Sequence, residues 1–118
     1  MQIKLQKKLF NKYPKLFSMC WGINCGDGWY SILDALCTCI ETIQYSDKPD
    51  VSFVQIKEKY GTLRVYESGA DVLTEGMVHM AEVMSAYVCE VCGSTKDVTT
   101  EDDGWITTRC KKCRSKEG

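Results

Sequence analysis

Two Cys-x-x-Cys pairs, Cys89-Glu90-Val91-Cys92 and Cys110-Lys111-Lys112-Cys113, constrain this chain more than any other feature. Seventeen residues lie between Cys92 and Cys110, a spacing that suits four thiolates around one tetrahedral ion. Each Cys-x-x-Cys turn puts two sulfurs on one side of a tight knuckle, and two facing knuckles complete the tetrahedron. Gly93 follows the first pair and accepts the positive φ that such a turn uses. The expectation is one structural Zn2+ on Cys89, Cys92, Cys110 and Cys113. The competing reading is a pair of disulfides or four separate thiols. Four protein thiolates would fill the zinc shell and leave no position for a substrate.

The remaining composition bounds the setting. At 118 residues the chain suits one small domain with an appendage. No apolar run approaches the ~18–20 residues that span a bilayer. The basic start, Met1 to Lys8, lacks the apolar core of a signal peptide, so a reducing cytoplasm is expected. In that compartment eight cysteines favour metal binding or buried thiols over disulfides. Charge is uneven. Residues 1–15 carry five lysines and no acid, and residues 109–118 carry five basic groups against Glu117. Between them fifteen acids face five bases. Such an acidic body argues against a broad nucleic-acid groove.

In chain order, Leu5, Leu9 and Tyr13 recur at i, i+4, i+8, which predicts a short amphipathic helix ending at Pro14 and docking on its own domain. Residues 21–29 hold three glycines and two tryptophans. Asp27 there suits a cap for the next helix or a ligand contact. Trp29, Ile32, Leu33, Leu36, Ile40 and Ile43 predict a helix over 29–45. Cys37 and Cys39 fall on different faces of it, so they cannot chelate one metal together. A second metal on Cys20, Cys25 and one helical cysteine competes with buried thiols, which the irregular spacing favours.

Residues 51–56 and 62–67 read as an antiparallel hairpin turning at 57–61. Leu63 and Val65 face inward, while Arg64, Tyr66 and Lys57 or Lys59 face out. Asp71 suits a cap for a helix over 72–88, whose Leu73, Met77, Met80, Met84 and Tyr87 form the expected core stripe with Ala81 and Val88 beside it. Glu75, His79 and Glu82 fall on its polar side, with no nucleophile–base partner for the histidine. Residues 97–100 and 105–108 read as short strands around Asp103-Gly104, a hairpin signal that makes the cysteine-bearing segment a zinc ribbon. The fold class is therefore α+β: a small α/β body over 1–88, with two main helices, a β-hairpin and the basic N-terminal helix, joined to a four-cysteine zinc ribbon and basic tail over 89–118. The two are expected to pack as one unit.

The stretches Cys20-Trp21-Gly22 with Cys25-Gly26-Asp27-Gly28-Trp29-Tyr30, residues 57–66, residues 80–93 and residues 104–113 together resemble a family of small zinc-ribbon-containing proteins of tailed bacteriophages and prophages. The resemblance covers most of the domain and implies a phage accessory protein acting in the bacterial host cytoplasm. By analogy such a protein binds and inhibits or redirects a host protein, including antiviral defence components. It carries over no catalytic residues. On this reading Trp21, Asp27, Trp29, Arg64 and Tyr66 are the partner-binding candidates, and the acidic body offers a mimic of phosphate charge. Two other classes stand beside it. A nucleic-acid-binding ribbon would use Trp105 for stacking and Arg109, Lys111, Lys112 and Arg114 for phosphate. A nucleotide-like small ligand would be lined by Asp27, Arg64 and the glycines of 22–28, although Gly-Asp-Gly lacks the Lys-Ser/Thr ending of a phosphate loop.

Overall fold

The computed structural model describes residues 1–116; residues 117 and 118, the end of the basic tail, lie outside the described residues. The chain is mixed α+β, with four helices and two small sheets among the described residues. Helix α1 (Ile3–Lys12) buries Leu9. Its following residue Tyr13 is also buried, as the i, i+4, i+8 stripe predicts. Polar contacts fix the docking. The Tyr13 hydroxyl lies 2.6 Å from Asp34 Oδ1 and 2.7 Å from Thr38 Oγ1, and Lys12 Nζ lies 2.9 Å from Asp34.

Strand β1 (Ile23–Asn24) and a 3-10 turn at Asp27–Trp29 lead into α2 (Tyr30–Thr42). Helix α2 buries the predicted stripe of Ile32, Leu33, Leu36 and Ile40, with Cys37 beside it. It stops at Thr42 rather than 45 because Ile43 turns extended. The Lys48 ammonium then donates to the carbonyls of Glu41 and Ile43, the placement that suits a cation at a helix C-terminus.

Strands β2 (Ser52–Lys59) and β3 (Thr62–Ser68) pair antiparallel. The turn is tighter than the sequence suggests, with only Tyr60 and Gly61 between the strands, both at positive φ. That is the primed two-residue hairpin geometry. Strand β1 adds in parallel to β2, giving the order β1-β2-β3. The inner sheet face brings Ile23, Ile56, Leu63 and Val65 into one core with Leu9, Leu33, Leu36 and Phe53.

Helix α3 (Val72–Met84) begins at Asp71, whose Oδ1 accepts from Thr74 N at 3.0 Å, as its capping role predicts. Its packing corrects the expected stripe. Thr74, Val78, Ala81 and, just beyond the helix, Ser85 are buried. Of the expected stripe Met77 packs half-buried against the core, as does Val88 beside it, whereas Leu73, Met80, Met84 and Tyr87 are exposed. The cause lies on β3. As the edge strand it presents N–H groups that must be satisfied. Val65 N donates to Glu82 Oε2 and Leu63 N to Ser85 Oγ, each at 2.9 Å. Satisfying these two donors turns Glu82 and Ser85 toward the sheet and carries the methionine side outward.

After a 3-10 turn at Ser85–Tyr87, β4 (Val98–Asp102) and β5 (Ile106–Cys110) form a second antiparallel sheet. Gly104 takes the positive φ in the connecting turn. A short helix α4 (Lys111–Ser115), which the sequence pattern does not announce, closes the segment. Among the described residues no helix is long and apolar enough to cross a membrane.

Candidate metal centre

The four C-terminal cysteines converge. Cys89 enters directly from the 3-10 turn after α3, Cys110 ends β5, and Cys113 lies in α4. Their sulfurs all lie within 4.8 Å of one another. Cys92 Sγ and Cys110 Sγ are 3.7 Å apart. A disulfide needs about 2.05 Å. A tetrahedron of sulfurs with metal–sulfur bonds of about 2.3 Å has edges of about 3.8 Å. The donors present therefore fit a four-coordinate ion, and all eight cysteines are free of disulfides.

The backbone prepares the site. Gly93 stands at φ 81° and its N–H donates to Cys89 O at 2.9 Å, closing the first knuckle. Cys89 N donates to Ser94 O at 2.8 Å, and Lys111 N to Asp97 O at 3.0 Å, tying both knuckles to the chain entering β4. Burial opposes ionisation of Cys89, yet the backbone N–H groups of Cys92, Cys110 and Val91 hold its thiol down at about 6. Burial, followed by hydrogen bonding to the neighbouring sulfurs, pushes Cys113 up to about 12. One sulfur is ready to be a thiolate and another resists, so four thiolates together need the charge of a cation. An ion bound by all four would have a closed shell, with no vacant position for a reacting group.

The knuckle is seated on the body through the Gly-Asp-Gly-Trp stretch. Gly28 N donates to Glu90 O at 2.8 Å, and Gly26 N to Glu90 Oε2 at 2.9 Å. A Cβ on Gly28 would overlap the Cys89 carbonyl oxygen and lie 2.6 Å from Gly93 N. A Cβ on Gly26 would overlap Glu90 O. These glycines allow two backbones to touch. Burial raises the Glu90 carboxyl above its usual range, partly offset by the Gly26 N–H. The cysteine-bearing segment meets the body at a second point. Thr108 Oγ1 donates to Gly61 O at 2.5 Å, while Thr108 O accepts from Glu90 N at 3.0 Å, a bond within the cysteine-bearing segment that ties its first knuckle to β5. The two segments thus contact each other at the knuckle and at the hairpin tip.

Several candidate residues are corrected by this seating. Trp29 is fully buried, and its indole N–H donates to Val88 O at 2.9 Å, so it anchors the chain entering the knuckle and offers no surface to a partner. Asp27 does not cap α2. Its Oδ1 accepts from Gln2 N at 2.8 Å, which secures the start of α1. The glycines expected to line a ligand pocket at 26 and 28 face the knuckle backbone instead. Trp21 is fully exposed, and Trp105 is largely so. Arg114 is held by the carbonyls of Thr99 and Thr107, at 2.6 and 2.7 Å, and by Glu101 at 3.0 Å. It serves the internal structure of the β4–β5 segment. Lys111 and Lys112 are exposed, and Arg109 is half-buried.

Arg64 and Tyr66 do share a face. The register aligns Asn24, Lys57 and Arg64 across the three strands, with Gln55 opposite Tyr66. Lys57 Nζ stands 5.7 Å over the Tyr66 ring, and Arg64 Nε donates to Thr62 Oγ1 at 3.1 Å. Sequence reasoning missed Tyr60, which is exposed at the hairpin tip and has Lys59 5.7 Å over its ring. Tyr60 sits in the two-residue turn at positive φ, outside both strands, so strand alternation carries no signal for it.

Among the described residues no other set of three His, Cys or carboxylate side chains is gathered as the four cysteines are. Cys20 donates to Gly22 O. Cys25 is buried, and desolvation pushes its thiol up to about 12. Cys37 is buried with its thiol raised for the same reason, whereas Cys39 is exposed on the opposite side of α2. Comparison with known protein families, with curated proteins and with solved structures returned no match.

Proposed function

We propose that this chain is a non-catalytic binding protein, a zinc-stapled α+β unit that engages a bacterial host protein through the outer face of its three-stranded sheet. The phage-accessory reading, with an antiviral defence component among its targets, belongs to the same proposal and rests on the resemblance of the cysteine, Gly-Asp-Gly-Trp and hairpin motifs. Four sulfur donors within 4.8 Å of one another suit zinc, and a hairpin between two cysteine knuckles is the outline of a zinc ribbon. The observation that carries the binding reading is the charge of the sheet face. Its outward positions include Lys57, Lys59 and Arg64 beside Tyr66, with no carboxylate among the outward positions of β2 and β3. On an otherwise acidic body this is a cationic, aromatic patch, the residue types that anchor interfaces with an acidic partner.

The test is partner capture from host lysate with the wild-type chain and an Arg64→Glu/Tyr66→Ala variant. A stoichiometric protein partner is expected with the wild type. The variant should retain zinc and fold yet bind at least about 30-fold more weakly, as loss of a hot spot implies. Repeated recovery of no partner, or equal recovery by both chains, contradicts the reading.

A second reading is favoured by the sheet's tip. Tyr60 and Trp105 are exposed around a cleft of about 470 Å³ that Lys57 and Lys59 also line. Aromatics with lysines between them suit single-stranded nucleic acid. Glu58 and Asp102 line the same cleft and oppose phosphate, which places this reading second. Binding would weaken steeply with salt. A negative shift assay at low salt with both single and double strands removes it.

A further inference from the structure

The four sulfurs of the metal centre are not equally sheltered. Cys89, Cys110 and Cys113 are buried, whereas Cys92 is exposed. Cys92 and Cys110 line a cleft of about 480 Å³ together with Lys96, Lys111, Lys112 and Asp97. The three lysines are exposed, and none of their ammonium groups is held in an ion pair among the described residues. The mouth of the centre thus sets three ammonium groups against one carboxylate.

Charge decides what can reach the exposed sulfur. Four thiolates around a divalent cation carry a net charge of about −2, which repels anions. Lysines gathered on one side cancel that repulsion and make approach through the cleft attractive to an anion. A thiolate open to solvent is also a nucleophile toward disulfides.

We propose that Cys92 is a thiol-modification site selective for disulfides of anionic thiols, such as oxidised glutathione, and that its reaction opens the metal centre. In the first step the Cys92 thiolate attacks one sulfur of the incoming disulfide. A bond from Cys92 to that sulfur forms, the incoming disulfide bond breaks, and one anionic thiolate leaves. In the second step the Cys110 thiolate, whose Sγ lies 3.7 Å from that of Cys92, attacks the Cys92 sulfur. Cys110 is the resolving residue because it shares the cleft with Cys92, which Cys89 and Cys113 do not line. A Cys92–Cys110 disulfide forms and the second anionic thiolate leaves. Two protein thiolates are oxidised, the incoming disulfide is reduced to two thiolates, and neither step needs a proton. The ion keeps only Cys89 and Cys113 and is released, and a reducing thiol runs the sequence backwards. The site of attack follows from exposure and charge, while the release of the ion rests on the zinc reading above.

Cys39 supplies an internal reference. It is exposed too, but it lies on α2 in a groove lined by Met77, Met80 and Met84 and by no lysine. The test treats the reduced, zinc-loaded chain with equal amounts of oxidised glutathione, which is anionic, or cystamine, a cationic disulfide. Peptide mass mapping locates the modified cysteines, and a chromogenic chelator follows the zinc. Oxidised glutathione should modify Cys92 ahead of Cys39 and end in the Cys92–Cys110 bond, with zinc released in step. Measured against the rate at Cys39, its rate at Cys92 should exceed that of cystamine at least about tenfold at low salt, a preference that added salt screens. Lys111→Glu/Lys112→Glu keeps all four cysteines and the zinc, and should bring the two rates within about twofold of each other. First modification at any cysteine other than Cys92, equal normalised rates for the two disulfides, or a preference untouched by the charge reversal overturns the proposal. A chain that holds no zinc before treatment contradicts the zinc reading instead, and the Cys92-to-Cys39 ratio then still decides the site of attack.

Discussion

Removing the ion with a strong chelator is expected to unfold residues 89–113 while α2 and the β2–β3 hairpin persist. The reasoning is local. The C-terminal segment's buried cluster consists of Cys89, Cys110 and Cys113 with Val98 packed against them, too little apolar surface to fold unaided. Metal binding at structural zinc sites in small peptides is worth roughly 10–16 kcal/mol, and that free energy is folding free energy. Without it the amides of Cys89, Gly93 and Lys111, now bonded to Ser94, Cys89 and Asp97, should lose exchange protection first. Amides of Leu33 to Ile40 within α2 should keep theirs, because the helix's buried side chains belong to the main core. Cys110→Ser should reproduce the effect without chelator. Unchanged exchange across 89–113 after complete removal of the ion would contradict it.

Gly28→Ala is expected to destabilise the protein by at least about 3 kcal/mol, the upper end of overpacking costs, and to lower the melting temperature by about 10 °C or more. The added methyl group would meet backbone on three sides, at Cys89, Glu90 and Gly93, and none of these can swing aside like a flexible side chain. Relief requires the knuckle to lift, which breaks the Gly28–Glu90 bond and strains the indole bond of Trp29 to Val88. Gly22→Ala is the matched control. Its Cβ would find only Gln6 Oε1 at 3.6 Å, ordinary contact, and its φ is not positive. Calorimetry of the two variants should therefore differ sharply. Equal melting temperatures would mean that the Gly-Asp-Gly stretch does not seat the first cysteine knuckle.

What could be read from the residues in advance was local. The cysteine spacing, the stripe of Ile32, Leu33, Leu36 and Ile40, and the alternation of Leu63 and Val65 each depend on neighbours within a few positions. Each reappears in the structure. The misplaced elements depend on distant partners. Trp29 looked like a surface anchor because the carbonyl it binds belongs to Val88, 59 residues away. Asp27 looked like a helix cap because its real donor is Gln2, 25 residues earlier. The side of α3 that turns inward is chosen by the unpaired N–H groups of β3, which a periodicity count on α3 alone does not include. Its low amphipathic contrast was nevertheless visible, since apolar residues ring most of the helix. Strand β1 is two residues long, below the length at which alternation carries a signal. At the candidate metal centre the four converging cysteines were legible. Their attachment through Gly26, Gly28 and Glu90 was not, because glycine in a sequence signals freedom without naming what comes close.

X-ray absorption at the metal edge of the purified protein tests the central claim most directly. One zinc per chain with four sulfur scatterers at about 2.3 Å is the expected shell. A shell containing nitrogen or oxygen ligands, or a protein that carries no bound zinc when purified with its thiols reduced, would contradict it.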